Sequence, residues 1–446
     1  MTGQMKEINL KKNILVSGSF RLIVMFISFF VSWISARYLG VELKGKYSYL
    51  LTISGFIWLI LDLGVYRSYP YFVRKYPLRL QQLFSLSAFS YVVETLFLVI
   101  LGLLLIKPLS TLIGFQFSAP YMFLWVLTIT FTKFNMQLSG LYLGMDKVFD
   151  HSMSNFGSTL LFLLLLLTGL IVFNWPDRLV WVMSVMLCSN LFSLIYYLRR
   201  TQWNVRFLFP DKDFLKLVYT YGFRVFLSSL FILFLMRFDI ILIKRMLNFS
   251  EVGIYSVAAN IIEVLQIASN VVGGLLLVKL SDSDSLEQKW HIMRRMVLLF
   301  LIILGVANLA FVLVGRFILA AFYGIAFVPV YEVYLWLIPA SFFLSFGSLF
   351  NNYLNSKGFP IISIILPAIA LLANIIMNLI FIPIWGINGA AMATSVAYAW
   401  WFLSIIIYEH RSSGGKMLGY LVFKKADLLE LRDYARSKFL HRSSNQ

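Results

Sequence analysis

The sequence predicts an all-α polytopic membrane protein, with about twelve transmembrane helices arranged as two six-helix lobes. Three observations carry that prediction. Residues are 60% hydrophobic and only 13% charged, with a mean hydropathy of +0.83, whereas a soluble chain of 446 residues would be about a quarter charged. The apolar runs reach about twenty residues, the length that crosses a hydrocarbon core. Short motifs also recur about two hundred residues apart, so the second half restates the first.

The spans follow in order. Span one, 14–36, is apolar apart from Arg21. It is too long for a cleavable leader, contains a cation and lacks a small-x-small cleavage site. Span two, 47–66, follows Gly45-Lys46-Tyr47-Ser48 and contains Asp62. Spans three to six cover 83–106 with Glu94, 119–141 with Lys133, 151–173 and 179–198. Span seven, 217–243, carries Arg224, Arg237 and Asp239; span eight, 251–279, carries Glu263. Spans nine to twelve are 294–320, 330–351, 360–384 and 387–408. Span twelve opens Gly386-Ile-Asn-Gly389-Ala-Ala-Met-Ala393-Thr394 and continues to Ala397, small residues that let helices approach closely. This division gives lobes at 1–200 and 201–410, then a basic tail at 411–446. From Lys424 to Leu440 that tail suits an amphipathic helix on an anionic leaflet.

The net charge of +18 does not point to nucleic acid, because its distribution follows the loops. About 26 of the Lys and Arg residues lie on the side of both termini and about 8 on the other, which makes both termini cytoplasmic. Every loop on the opposite side is short, so no external catalytic domain is expected. A single cysteine, Cys188, excludes an internal disulfide and a thiolate metal cluster. His151, His291, His410 and His441 are dispersed without ligand spacing, and no metal site is predicted.

The repeat is read from three pairs. Phe20-Arg21 matches Phe223-Arg224, Gly45-Lys-Tyr47-Ser48 matches Gly253-Ile-Tyr255-Ser256, and Tyr142-Leu143 with Lys147 matches Tyr353-Leu354 with Lys357. The offsets are 203, 208 and 211 residues. An even number of spans separates the copies, so both halves have one orientation and are related by an axis along the membrane normal.

Four cations and four acids fall well inside the spans: Arg21, Lys133, Arg224 and Arg237, with Asp62, Glu94, Asp239 and Glu263. A cation at a helix centre costs roughly 2.5–3.5 kcal/mol, so these side chains are expected to face one another or water. Arg21, Lys133 and Arg224 fall in the cytoplasmic third. Arg237 lies thirteen residues beyond Arg224, about 20 Å higher at 1.5 Å per residue. The pattern suggests a basic chamber with a further cation above it, suited to an anionic substrate; snorkelling to the headgroups is the alternative. Arg237 and Asp239 point to different faces of their helix, and Asp239 is read as fixing helix seven or touching substrate. Glu94 and Glu263 are expected to be protonated or paired, and are candidates for proton coupling. Asp62 is expected to pair with Arg67. Asn374 and Asn378, one turn apart, are expected to bond across helices or line the cavity.

Ala36-Arg-Tyr-Leu-Gly40, Gly45-Lys-Tyr47-Ser48 and Leu63-Gly64 together resemble the opening of polysaccharide biosynthesis flippases of the Wzx type. Asp239, Val252-Gly253-Ile-Tyr255-Ser256-Val-Ala-Ala259, Asn374, Asn378, Ile382-Pro383 and the start of span twelve are similar to that family's second half. The family belongs to the multidrug/oligosaccharidyl-lipid/polysaccharide (MOP) exporter superfamily, and the resemblance covers about residues 10–408. It implies a MATE-like fold around a central cavity open alternately to each side. It also implies transfer of undecaprenyl-diphosphate-linked oligosaccharide across the bacterial cytoplasmic membrane, with H+ or Na+ as coupling ion and no other cofactor. The partners so implied are the lipid-linked glycan, the bilayer, a glycan polymerase and glycosyltransferases. Relatives often have a proline at the start of span seven, where this chain has Tyr221-Gly-Phe-Arg224. Two other readings compete: a cation-coupled multidrug exporter of the same fold, and a membrane glycan polymerase or ligase.

Overall fold

The computed structural model describes the backbone of residues 2–171, 177–201, 207–281, 286–356 and 361–415. For residues 2–17, 21, 267–281, 286, 355 and 356 it describes the backbone alone. The basic-tail reading at Lys424–Leu440 lies outside the described residues.

Twelve α-helices account for nearly all of this backbone. In chain order they are α1 Thr2–Asp62, α2 Val65–Lys75, α3 Leu80–Leu104, α4 Ile106–Ile113, α5 Ala119–Gly144 and α6 Val148–Ile171. They continue with α7 Arg178–Arg200, α8 Lys212–Met246, α9 Phe249–Ser281, α10 Leu286–Ile318, α11 Val330–Ser356 and α12 Ile362–Ser412. Among the described residues, eight stretches are long and apolar enough to cross a membrane. Two of them, in α1 and α12, are each two passes rather than one.

The doubling follows from glycine. In α1 the helix breaks at Gly40, whose φ of 73° suits a residue without a Cβ. Lys44 Nζ then donates to Ser35 Oγ at 2.9 Å, although a continuous helix would set those residues about 13 Å apart. The chain therefore folds back at Gly40, and the loop expected between 36 and 47 is a tight turn with helix on both sides. Gly386 in α12, at φ 58°, does the same. Beyond it Gly389 comes against the Phe381 carbonyl, which in a continuous helix would be about 12 Å away. Adding α5 (26 residues) and α9 (33 residues) gives twelve passes.

These passes alternate between two faces of the molecule: a near face, where α1 begins, and a far face. The short helices α2 and α4 sit at pass ends on the near and far face respectively. Within the first half α1 packs on α6, α3 and α2 on α5, and α5 and α6 on α7; within the second, α11 and α8 pack on α12 and α9 on α11. Small residues let α12 pack closely in this half: Ala390, Ala391, Ala393 and Ala397 are fully buried. Outward faces such as Leu96, Phe97 and Ile100 of α3, and Val306, Leu309 and Leu313 of α10, are exposed apolar surface suited to lipid.

The halves meet mainly where α1 crosses α9. A Cβ on Gly45 would collide with the Phe249 carbonyl, and one on Gly253 with the Val41 carbonyl. Gly253 follows Gly45 by 208 residues and Phe249 follows Val41 by the same 208. Equivalent glycines of the repeat thus touch each other reciprocally, as residues do across a two-fold axis.

Candidate functional site: a closed cavity between the halves

The halves touch at both faces and part between them. The far closure is the Gly45–Gly253 crossing, strengthened by α1 reaching the end of α10. There Trp33 Nε1 donates to the Phe322 carbonyl at 2.5 Å, and Arg37 donates to the carbonyls of Ala321 and Phe322 at 3.1 and 3.0 Å. The near closure is a second glycine contact, in which Gly64 meets the Gly222 carbonyl at the α2–α8 crossing. Gly64 has φ 76°, so glycine is required there twice over. Beside it Arg67 Nη1 donates to Ser229 Oγ at 2.5 Å, and the rings of Tyr71 and Tyr221 stack at 5.0 Å.

Between these closures lies a cavity of about 450 Å³. The two arms of α1 form its first-half wall, offering the hydroxyls of Ser32, Ser35, Ser48 and Thr52 and the rings of Tyr47 and Trp58. Helices α8 and α9 form the other wall with Arg237, Asn260 and Glu263. Lys44 closes one end; it is 3% exposed, and an ammonium has three donors, of which one reaches Ser35. Arg237 Nη2 donates to Glu263 Oε2 at 2.6 Å. Two cations against one carboxylate leave the lining one positive charge in excess.

Of the cations and acids singled out within the spans, the structure brings Arg237, expected above the basic chamber, and the acid Glu263 to this cavity. Lys133 is buried in the first half, where its ammonium lies 2.5 Å from Glu94 between α5 and α3. Arg224 is exposed and, among the described residues, makes no hydrogen bond or ion pair. The Arg21 side chain lies outside the described residues. The expected Asp62–Arg67 ion pair is corrected: Asp62 accepts from Tyr66 N at 3.1 Å and Gln137 Nε2 at 2.8 Å, while Arg67 binds Tyr66 Oη and Ser229. Among the described residues, Asn374 and Asn378 make no hydrogen bond across helices. Both are fully buried, and Asn378 Nδ2 donates to the carbonyl and Oδ1 of Asn374 within α12.

Asp239 points away from Arg237, as its spacing requires, and is 2% exposed. Its carboxylate accepts from Tyr255 Oη, from Thr394 Oγ1 at 3.3 Å and from Ile240 N at 2.8 Å. One buried acid thereby joins α8, α9 and α12. Among the described residues no group of three or more His, Cys, Asp or Glu is placed to hold a metal ion.

Lys44 escaped the sequence reading because 36–47 read as a loop, which placed it in water. The available signal was its position immediately before Gly45-Lys46-Tyr47-Ser48, the repeated motif.

A family model for polysaccharide biosynthesis proteins matches residues 10–278, more than half of the sequence. The chain belongs to that family. No curated protein matches it. Among solved structures it is similar to the lipid II flippase MurJ in an inward closed conformation, with 14% identity and a TM-score of 0.70, over 93% of this chain and 89% of that one. A multidrug resistance MATE family transporter of the MOP superfamily, inward-facing, matches with 15% identity and a TM-score of 0.70, over 90% of this chain and 99% of that one. A MOP superfamily transporter from Pyrococcus furiosus, described as having a binding pocket of reverse polarity, shares 16% identity at a TM-score of 0.57, over 89% and 96%. This polysaccharide biosynthesis protein therefore has the all-α, multi-pass fold seen in those solved structures.

Proposed function

We propose that the chain flips an oligosaccharide linked to a polyprenyl diphosphate, from the cytoplasmic to the outer leaflet of a bacterial cytoplasmic membrane. The single observation that carries this reading is the chemistry of the cavity between the halves. Hydroxyls from α1 and the rings of Tyr47 and Trp58 suit a sugar, which presents both hydroxyls and apolar faces. Lys44 and Arg237 suit the diphosphate, whose charge needs compensation to leave water. The lipid tail stays in the bilayer while the head group crosses. With both termini in the cytoplasm, the near closure opens to the inner leaflet and the far closure to the outer one. Rocking of one half on the other then alternates access. A membrane potential negative inside favours outward movement of the anionic head by up to about 2.3 kcal/mol per charge per 100 mV.

A drug exporter for cationic compounds fits less well, because the excess charge of the lining is positive. The buried Asp239, held by Tyr255 and Thr394 where three helices meet, is the best placed acid for H+ or Na+ coupling. A glycan polymerase and glycosyltransferases are the partners this reading implies. The test is complementation in a strain lacking its own flippase for the same glycan. Wild type is expected to restore surface glycan, and Lys44→Ala with Arg237→Ala to abolish it at equal membrane abundance. Full restoration by the double variant would overturn the reading.

A further inference from the structure

A second cavity has no part in the proposed transfer path. It holds about 410 Å³ and is lined almost wholly by apolar side chains. Ile53 and Ile57 of α1, Leu98 and Leu101 of α3, Met122 and Ile129 of α5 form much of its wall. Leu109, Leu112 and Ile113 of α4 cover it on the far side, and Ile241 of α8 is the one contribution from the second half. An apolar cavity of about 150 Å³ is enough to hold benzene. This one is more than twice that size, room for a stretch of hydrocarbon chain.

Charge gathers at its rim. Lys244 lies three residues beyond Ile241, on the same face of α8 and one turn nearer the far face. It reaches across to α4, where a Cβ on Gly114 would collide with its ammonium. Arg245 beside it is exposed. Helix α4 is amphipathic: Leu109, Leu112 and Ile113 face the cavity, while Lys107, Ser110 and Thr111 line an open polar hollow on its other side. That is the arrangement of a helix lying in a membrane interface, with hydrocarbon beneath it and head groups above.

We propose that this is a binding site for an anionic phospholipid of the far leaflet, with an acyl chain in the cavity and the phosphate at Lys244. Phospholipid is the chosen occupant because the site pairs a dry interior with cations at head-group level, and bulk lipid surrounds it. The bound chain touches both halves through Ile57 and Ile241, so it acts as a wedge that favours the arrangement in which they are closed. The site stands whatever substrate crosses the central cavity.

The experiment is native mass spectrometry of the full-length protein, titrated in detergent with phosphatidylglycerol and, separately, phosphatidylcholine. Wild type is expected to retain one phosphatidylglycerol in preference to phosphatidylcholine. Lys244→Gln is expected to weaken that preference about fivefold, the effect of one lysine near a head group. Ile57→Trp is expected to abolish retention of both lipids by filling the cavity. Equal retention of the two lipids by wild type overturns the proposal, as does a preference unchanged by Lys244→Gln, which decides alone if Ile57→Trp fails to fold. Co-purification of a polyprenyl phosphate at this site, displaced by neither phospholipid, also overturns it.

Discussion

Replacing Gly253 by alanine should open the far closure. The added Cβ would lie against the backbone carbonyl of Val41, which has no rotamer to escape into, so α1 and α9 must move apart. Overpacking of this kind costs about 1–3 kcal/mol, which changes a two-state ratio by roughly 5- to 150-fold. The cost falls only on the state closed at the far face. Alanine is also the better helix former by about 1 kcal/mol, so loss of helix does not explain an effect. The readout is labelling of a cavity cysteine, Ser32→Cys with Cys188→Ser, by a membrane-impermeant maleimide applied from the far side. Labelling should be slow in the parent and faster by about the fold-change above in Gly253→Ala. Gly305→Ala serves as control, since nothing lies within 4 Å of that added Cβ. If Gly253→Ala labels no faster than Gly305→Ala, the glycine crossing is not the gate and the reasoning fails.

Other outcomes follow from the same geometry. Lys133→Met should lower the detergent melting temperature, because it leaves the half-buried Glu94 without its partner, at a cost below the roughly 3–5 kcal/mol of a fully buried pair. The double change Lys133→Met with Glu94→Leu should recover most of that loss, and no recovery would mean the pair is not coupled. Arg37→Ala should speed far-side labelling less than Gly253→Ala does, because Trp33 still holds the Phe322 carbonyl. Asp239→Asn should leave the fold intact, as Tyr255 and Thr394 can still donate to an amide oxygen, yet abolish any dependence of transport in proteoliposomes on an H+ or Na+ gradient. Persistence of that dependence would remove Asp239 from coupling.

The passes were legible because lipid demands long apolar runs, and a run reports its own length. Gly45 and Gly253, with their neighbouring Tyr and Ser, stand in matching order in the sequence, and the structure brings the two glycines into contact. What a sequence does not report is how each helix is rotated. Lys133 and Glu94 are thirty-nine residues apart, and only the packing of α3 on α5 makes them partners. Arg224 and Arg237 share one helix, yet one is exposed and the other faces the cavity. Lys44 was hidden by a turn so tight that helix begins again within one residue of Gly40. Arg237 and Glu263, by contrast, lay deep enough that a cavity or a partner was required, and they found both.

The reciprocal meeting of Gly45 with Phe249 and of Gly253 with Val41 makes the seam self-complementary. A bulkier residue on either side of it obstructs both sides at once. The seam therefore keeps its bare backbone on both sides, whatever side chains the rest of each half carries.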